Sequence, residues 1–307
     1  GDPDYGRPRL GPRLGPGRGE LDVARHDRGL DAHGGVPACV RVGAVKPLIK
    51  YAGGKATIAP LVSDLLPPCT GTWREPFAGS AAVTLHRAAA GELLGPIVLG
   101  DLDAGIVTLH RGIISEPDAV CAALAAHRVG EWTEARYLAL RRKPETAARL
   151  ITLNKTCFNG LYRRNRSGRF NAPWGKQPNP SIPTDDHIRA VSRLLSGARV
   201  EQRDAVDALD EATAGDQVYL DPPYVGTWTS YGQGVRYTLA DLGLLIRASA
   251  RAASRGALVV LSHLDAPEVR AMLSGWRVSE VSARASISRS SASRGVRQEI
   301  LAVLGDV

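Results

Sequence analysis

Residues 72–83 read TWREPFAGSAAV, and this stretch decides the class of fold. A short apolar run ends at Glu75 and Pro76, small residues make a tight turn, and a helical pattern begins directly after the turn. A strand, a turn and a helix in this order open a unit whose next strand runs parallel to the first. The same alternation continues from Lys46 onward, so the sequence predicts an α/β protein with an open, doubly wound sheet.

Seven segments carry the pattern of strands, and the last two differ from the others. The predicted strands are residues 72–77, 97–101, 198–204, 216–221, 257–263, 276–282 and 298–304. The last two lie too close together for a crossover helix, so they are expected to form an antiparallel pair at one edge of the sheet. Between the second and third strands, residues 104–197 offer several helical stretches and predict a helical insertion.

Composition excludes several classes of protein. The chain has 307 residues, of which 44% are hydrophobic, and this suffices for one large domain or two modest ones. No apolar run approaches the roughly 18 residues of a membrane span and no apolar signal core is present, so no membrane partner and a cytoplasmic location are expected. The four cysteines are far apart, which predicts reduced thiols and neither a disulfide framework nor a metal site.

The first 45 residues differ in composition from the rest of the chain. Gly, Pro and Arg dominate residues 1–45, which have no helical or strand period and predict a disordered segment. Met272 is the only methionine, so an artefactual extension is one interpretation, and an arginine-rich DNA-binding tail is the other. The net charge of +8 suits a polyanionic partner, although arginine richness can also reflect the base composition of the gene.

Polar motifs cluster at the predicted strand ends, where ligands bind in open parallel sheets. The turn after the first strand contains Phe77 and Gly79 and permits a close backbone approach, but it lacks the GxGxxG of nicotinamide enzymes. Asp101 ends the second strand and is expected to accept hydrogen bonds from ribose hydroxyls. Asp204 ends the third strand and either lies near an adenine ring or caps a helix, and Asp103 is also a candidate helix cap.

Two further segments have unusual composition. KYAGGK (50–55) places two glycines between Tyr51 and Lys55, and such a turn can bring Lys55 to a carboxylate and Tyr51 to an aromatic ring. Residues 154–180 interleave six Arg or Lys residues with four aromatic rings, namely Phe158, Tyr162, Phe170 and Trp174. Cations meet phosphates and rings stack on bases, so a nucleic-acid surface is predicted, with a solvated loop around ordinary aromatic anchors as the alternative.

Taken in order, these motifs resemble the Dam-type, or D12 class, site-specific DNA N6-adenine methyltransferases. The shared segments are KYAGGK (50–55), EPFAGSAAV (75–83), GDLD (100–103), FNGLYRRNRSGRFNAPWG (158–175), DPPY (221–224) and a last strand with EIL (299–301). DPPY alone occurs in other amino methyltransferases, but its place downstream of the glycine turn and the FNG segment is specific. The resemblance covers residues 46–304.

The resemblance implies a Rossmann-like S-adenosylmethionine-dependent methyltransferase sheet with an antiparallel edge strand, plus a helical target-recognition insertion. Residues 46–110 and 198–307 would form the catalytic domain and residues 111–197 the recognition subdomain. The cofactor-binding residues implied in this way are Tyr51, Lys55, Phe77, Gly79, Asp101 and Asp221, to which the strand-end argument adds Asp204.

The FNG segment would supply the residues that bind DNA. These candidates are Phe158, Asn159, Arg163, Asn165, Pro173 and Lys176. Arg163 is expected to read a base edge, in particular guanine, because arginine can donate two parallel hydrogen bonds. Phe158 would wedge into the base stack and Asn159 would touch the backbone. Lys176 stands where the family often has arginine, so a recognition sequence of GATC or a related GA-containing site is a family-based expectation only.

The resemblance also implies a chemical role for DPPY. The adenine N6 amino group is a poor nucleophile because its lone pair is delocalised, and the base must leave the duplex to react. Asp221 and the backbone carbonyl of Pro222 would accept the two N6 hydrogens and aim the nitrogen at the methyl group of the cofactor. Tyr224 would stack on the extruded base.

Two alternatives to adenine methylation stay open. The same acid and carbonyl could hold the N4 amino group of cytosine. A catalytically silent DNA-binding relative is the other alternative, because LSH (261–263) replaces an LSN-like tripeptide and DLGLL (241–245) lacks the usual DH pair. The expected partners are double-stranded DNA and a cognate restriction endonuclease, and the expected state is a monomer; the sequence does not distinguish a restriction-modification enzyme from an orphan or phage enzyme.

Overall fold

Seven strands form one sheet in the computed structural model of the protein. The structure describes residues 45–51, 53–165, 167–227, 236–284 and 296–306, so the predicted extension lies outside the described residues except for Val45. The strands are β1 (Trp73–Glu75), β2 (Ile97–Asp101), β3 (Arg199–Gln202), β4 (Gln217–Leu220), β5 (Leu258–Leu264), β6 (Arg277–Arg284) and β7 (Val296–Leu304). Every predicted strand is confirmed, and the observed ends differ from the predicted ones by two residues or fewer.

The order of the strands places a crevice at the middle of the sheet. The order is β3-β2-β1-β4-β5-β7-β6, and β1 to β5 run parallel. β7 pairs antiparallel with both β5 and β6, which confirms the predicted antiparallel edge. The direction of strand progression reverses between β1 and β4, and this is the point at which open α/β sheets bind ligands.

Helices occupy the connections between these strands. They are α1 (Ala59–Asp64), α2 (Ala82–Ala89), α3 (Ala104–Ser115), α4 (Pro117–Arg128), α5 (Glu134–Arg142), α6 (Ala147–Thr156), α7 (Asp185–Leu194), α8 (Ala205–Asp210), α9 (Leu239–Ser254) and α10 (Pro267–Met272). The α/β class and the helical insertion between the second and third strands are thereby confirmed. The predicted domain boundary between residues 110 and 111 falls within α3.

Side chains of the central strands alternate between two apolar layers. Val218 and Leu220 of β4 belong to the layer formed with α8, α9 and α10, whereas Tyr219 belongs to the layer formed with α1 and α2. β5 repeats the alternation, with Val259 in the first layer and Val260 in the second. Burial on both faces explains why these strands read as continuous apolar runs in the sequence.

The helices α3 to α7 form a third apolar layer with their own side chains. Leu124, Tyr137, Ile151 and Ile188 are buried in it, one each from α4, α5, α6 and α7. Threonine side chains accept backbone N–H bonds at the starts of α5, α6 and α7, which fixes where these helices begin. Within the described parts of the chain, no helix has both the length and the apolar character needed to cross a membrane.

Candidate active site

Asp221 follows β4 directly and lies at the crevice where the strand order reverses. Its Oδ1 atom accepts a hydrogen bond from Ser262 Oγ at 2.9 Å and pairs with Lys55 Nζ at 3.2 Å. Among the described residues no donor reaches Oδ2, and 20% of the side chain is exposed. One carboxylate oxygen therefore anchors the side chain, while the other is available to a ligand.

Lys55 is buried and connects three separate segments of the chain. Nζ lies 3.2 Å from Asp221 Oδ1 and 3.4 Å from Glu299 Oε2 on β7, and it donates to the Tyr224 hydroxyl at 2.5 Å. The predicted turn is present, since Gly54 N donates to Tyr51 O. Burial raises the pKa of Asp221, and the charge of Lys55 together with the Ser262 hydrogen bond opposes this rise. The positive charge of Lys55 thus compensates the negative charge of the Asp221 carboxylate, which is partly desolvated in the crevice.

The two prolines after Asp221 hold a second acceptor beside its carboxylate. Pro222 is buried, and no donor of the described chain reaches its carbonyl oxygen. Each proline ring restricts φ, and a proline also biases the residue before it toward extended backbone. Asp221 Oδ2 and the Pro222 carbonyl oxygen are therefore two stiffly held acceptors on adjacent residues.

Tyr224 is half-buried beside these acceptors, and several groups contact it. Its hydroxyl accepts from Lys55, whose Nζ lies 4.8 Å from the centre of the ring. The ring of His263 lies 5.1 Å from the Tyr224 ring, centre to centre. Val225, the next residue, donates its backbone N–H to His263 Nε2 at 3.3 Å. These contacts fix the aromatic ring next to the free acceptors.

The turn after β1 needs a residue without a side chain. Gly79 has φ of +45°, and a Cβ there would lie 2.9 Å from Cδ1 of Tyr51. His110 Nε2 donates to the Gly79 carbonyl at 2.9 Å, and burial lowers the pKa of His110, which favours the neutral ring. Ala81 also has a positive φ, 53°, at a cost of about 1–2 kcal/mol for a non-glycine residue. Such strain is commonly found where backbone is shaped for a ligand.

Asp101 is buried at the end of β2, next to this turn. Its Oδ2 accepts from Gly79 N at 3.0 Å and its Oδ1 accepts from Asp103 N at 2.9 Å. Burial raises the pKa of Asp101 to about 7, although both backbone hydrogen bonds favour the charged form. A carboxylate has about four acceptor positions, so it can still accept ligand hydroxyls. Leu102 beside it is 41% exposed.

Four polar residues complete this arrangement without being among the predicted site residues. Three of them are the partners Ser262, Glu299 and His110 described above, and the fourth is Glu75. Glu75 accepts from the backbone N–H and the hydroxyl of Thr84, and burial raises its pKa to about 8. The signal for Glu75 was available, because it is an acid inside a strand that is otherwise buried on both faces.

Two of the predicted cofactor-binding residues, Asp204 and Phe77, have contacts that do not by themselves indicate a ligand. Asp204 is exposed and its side chain accepts from Val206 N at 2.8 Å, so it caps α8, as one of its two interpretations predicted. Asp103 likewise caps α3, as predicted, by accepting from Gly105 N at 2.7 Å. Phe77 is half-buried against the apolar layer of α8 and α9. None of these contacts tests a role in cofactor binding.

The FNG segment forms a turn and a hairpin beside α6, and only part of it faces solvent. Phe158 is 49% exposed, and Asn159 is exposed with φ of +54°. Tyr162 and Phe170 are buried against each other, as the alternative of ordinary aromatic anchors predicted for these rings. Trp174 is half-buried and packs on Tyr137. Phe158 is therefore the aromatic residue of this segment that is most available to a base.

The other DNA-binding candidates differ in their hydrogen bonds and in their exposure to solvent. Arg163 is exposed, and its Nε and Nη2 donate to the side chain and the backbone carbonyl of Asn171. Asn165 Oδ1 accepts from the backbone N–H groups of Ser167 and Arg169 and so shapes the hairpin turn. Pro173 and Lys176 are exposed, and Lys176 has φ of +56°.

Arg164, the neighbour of Arg163, points inward. Its Nε lies 2.9 Å from both the Tyr162 hydroxyl and Asp103 Oδ1, and its Nη2 lies 2.7 Å from Glu145 Oε1. A Cβ on Gly105 would lie 1.6 Å from Arg164 Nη2, so a glycine there makes room for the guanidinium. Asp103 Oδ2 is buried without a partner among the described residues. Arg164 is therefore a structural cation and not a surface one.

We expect Arg164→Leu to lower the free energy of unfolding by about 3–5 kcal/mol, because it leaves the Asp103 carboxylate buried and uncompensated. Arg163→Leu is the matched control and should change it by about 0.5 kcal/mol or less, as is usual for an exposed side chain. Urea unfolding followed by circular dichroism measures both. Adding Asp103→Asn to Arg164→Leu should recover part of the lost free energy of unfolding. Equal destabilisation by Arg164→Leu and Arg163→Leu would contradict the assignment of Arg164 as a structural cation.

Comparison with known proteins is consistent with this geometry. A family model described as D12 class N6 adenine-specific DNA methyltransferase matches residues 51–287. The type II methyltransferase M1.LlaDCHI of Lactococcus lactis subsp. cremoris is 28% identical over 276 residues, which cover 84% of this chain and 94% of that protein. The DNA adenine methylase of Vibrio cholerae (El Tor Inaba N16961) is 26% identical, covering 84% of this chain and 95% of its own.

Among solved structures, the chain matches the rRNA methyltransferase aviRa from Streptomyces viridochromogenes. It has a TM-score of 0.39 and 15% sequence identity, and the match covers 81% of this chain and 83% of that one.

Proposed function

The chain belongs to the D12 class N6 adenine-specific DNA methyltransferase family, and from this we propose how its site acts on DNA. The protein is a site-specific DNA adenine-N6 methyltransferase. In our proposal Asp221 Oδ2 and the Pro222 carbonyl oxygen accept the two N6 hydrogens of an extruded adenine. Tyr224 stacks on its ring.

One observation supports this arrangement more than any other. Lys55 and Ser262 both engage Oδ1 of Asp221, and neither Oδ2 nor the Pro222 carbonyl has a donor among the described residues. Both oxygens therefore keep lone pairs that can accept hydrogen bonds from a ligand. A primary amino group has two N–H donors, which matches this pair of acceptors.

The acceptors alter the reactivity of the amino group in two ways. Hydrogen bonds from both N6 hydrogens draw the nitrogen toward tetrahedral geometry and localise its lone pair. Positive charge then develops on N6 as the new carbon–nitrogen bond forms, and a fixed carboxylate beside it stabilises that charge. The raised pKa of Asp221 suits Oδ2 to take up the proton that N6 loses afterwards.

Loss of stacking within the DNA raises the free-energy cost of base extrusion, whereas stacking on Tyr224 lowers it. Taking a base out of the duplex costs a few kcal/mol, and a base stacked on an aromatic side chain regains about 1–3 kcal/mol. Lys55 and His263 already hold the Tyr224 ring, so little ordering is needed when the base arrives. The tyrosine therefore offsets part of the cost of extrusion.

S-adenosylmethionine is the methyl donor that the family and the sheet topology imply, and the residues present fit it. Gly79 lets the Tyr51 ring pack closely against the turn, Asp101 has acceptor capacity for ribose hydroxyls, and Lys55 pairs with Asp221 at the crevice. We include Phe77 and Asp204 in the proposed cofactor site. When bound, the cofactor would supply an electrophilic methyl group carried on a positively charged sulfur.

Replacing Asp101 by asparagine is expected to weaken cofactor binding by about 10- to 150-fold, the range that corresponds to one hydrogen bond with a charged group. Isothermal titration with S-adenosylhomocysteine measures this. Asp118→Asn is the control and should leave the affinity within about threefold, because Asp118 is an exposed carboxylate on α4 outside the proposed cofactor site. Unchanged affinity in the Asp101 variant would contradict the ribose assignment.

We propose that residues 111–197 recognise the DNA target through the exposed face of the FNG segment. Phe158 is exposed enough to enter the base stack, and Arg163 presents its guanidinium to solvent. Asn159 and Pro173 lie exposed in the same segment, Lys176 is exposed directly after it, and Asn165 shapes its turn.

Transfer of a labelled methyl group to mixed-sequence DNA, followed by mass spectrometry of the nucleosides, tests the proposed reaction. N6-methyladenine is the expected product. N4-methylcytosine would indicate the cytosine alternative, and DNA binding without transfer would indicate a silent relative. A cognate restriction endonuclease, a monomeric state and a GA-containing site stay predictions.

A further inference from the structure

His263 lies on β5, and both of its ring nitrogens have partners. It is buried, with Nε2 3.3 Å from Val225 N and Nδ1 3.1 Å from the Leu264 carbonyl oxygen. A backbone N–H can only donate and a carbonyl can only accept. Nε2 is therefore an acceptor and Nδ1 carries the proton, so the imidazole is neutral.

The same imidazole also contacts the ring on which the target base is proposed to stack. The His263 and Tyr224 rings lie 5.1 Å apart at an angle of 51°. Lys55 holds the hydroxyl end of Tyr224, whereas His263 holds its flank and the peptide N–H that follows it. Without the imidazole, nothing else among the described residues accepts the Val225 N–H bond.

We propose that His263 is a positioning residue for methyl transfer, whose neutral imidazole holds residues 224–225 in the orientation that receives the target adenine. This inference rests on the proposed roles of Asp221 and Tyr224. A purely structural histidine would contribute to folding stability only. A positioning histidine must in addition change base extrusion and the pH dependence of turnover.

The pH dependence follows from the groups around the imidazole. Burial lowers the pKa of His263 and the charge of Lys55 lowers it further, while the Leu264 carbonyl and Glu299 on β7 oppose this shift. The imidazole thus stays neutral until the pH falls below its ordinary range. Protonation then turns Nε2 into a second donor facing Val225 N–H, and that hydrogen bond is lost. Asp221, whose pKa is raised, also loses acceptor capacity as the pH falls.

Two substitutions separate the effect of losing the acceptor for Val225 N–H from the effect of losing a group that titrates. His263→Gln can place an amide oxygen near the position of Nε2 and does not titrate, so it is expected to keep at least about half of kcat. His263→Leu fills similar volume without an acceptor, and kcat is expected to fall about 5- to 100-fold because Val225 N–H is left unsatisfied. Fluorescence of 2-aminopurine at the target position reports extrusion, which the leucine variant should reduce, while binding of S-adenosylhomocysteine stays within about twofold.

The pH profile of kcat provides a second readout. The acid-side loss of kcat should be shallower in His263→Gln than in the wild type, because the variant lacks one of the site groups that titrate as the pH falls. The proposal is overturned if His263→Leu extrudes 2-aminopurine and turns over like the wild type, or if His263→Gln is as impaired as His263→Leu. Imidazole ¹⁵N shifts of the free protein give a test independent of activity: a doubly protonated His263 at pH 7 would overturn it. Absence of methyl transfer by the wild type would refute the proposed function instead.

Discussion

Asp221→Asn is expected to lower kcat by at least about 10²- to 10³-fold, the loss typical for removing one group that stabilises charge in a transition state. The argument depends on the anchoring of one carboxylate oxygen. Lys55 and Ser262 both donate to Oδ1, so the amide oxygen of asparagine must occupy that position. The amide NH₂ then faces N6, where a donor meets a donor. The variant loses an acceptor and gains a repulsive contact.

Binding should survive this substitution, which separates chemistry from folding. The affinities for S-adenosylhomocysteine and for duplex DNA are expected to stay within about threefold of wild type, since Asp221 is one contact among several. Asp118→Asn is a suitable control, because Asp118 is an exposed carboxylate on α4 whose partner is Arg189 at the surface. Turnover above a tenth of wild type in Asp221→Asn would contradict the role of Oδ2.

Arg163→Lys is expected to relax discrimination at one base pair of the target by about 1–3 kcal/mol, or roughly 5- to 150-fold. Nε and one Nη2 hydrogen of Arg163 already bond Asn171. The opposite edge of the guanidinium therefore keeps two parallel N–H groups, the geometry that reads O6 and N7 of guanine. Lysine keeps the charge but has no such fork.

A set of oligonucleotides with one substituted base pair each measures this effect as a ratio of kcat/KM values. Arg169→Lys is the matched control, because Arg169 is also exposed in the hairpin. Loss of activity on all sequences alike in Arg163→Lys would indicate a phosphate contact instead of base readout.

The sheet and the residues at its strand ends could be predicted because the strands are buried on both faces. Such strands read as continuous apolar runs, and each run ends at a polar residue such as Asp101 or Asp221. The role of Asp204 could not be decided in this way, since a ligand-binding acid and a helix cap occupy the same place between a strand and a helix.

Contacts between distant segments could not be predicted, because the periodicity of apolar residues does not indicate which segments meet. The approach of Lys55 to Asp221 and Glu299 joins residues far apart in the chain. The opposite orientations of Arg163 and Arg164 were in principle predictable. Extended backbone alternates its side chains, and buried Tyr162 places Arg164 on the inner side and Arg163 on the outer side.

Expression in a methylation-deficient host, followed by single-molecule sequencing of the plasmid, measures activity, modified base and target sequence together. We expect N6-methyladenine within one short sequence for the wild type, and no modified base for Asp221→Asn. Unmodified plasmid with wild-type protein, modification of cytosine, or equal adenine methylation by Asp221→Asn would contradict the proposal that Asp221 and the Pro222 carbonyl hold adenine N6 for methyl transfer.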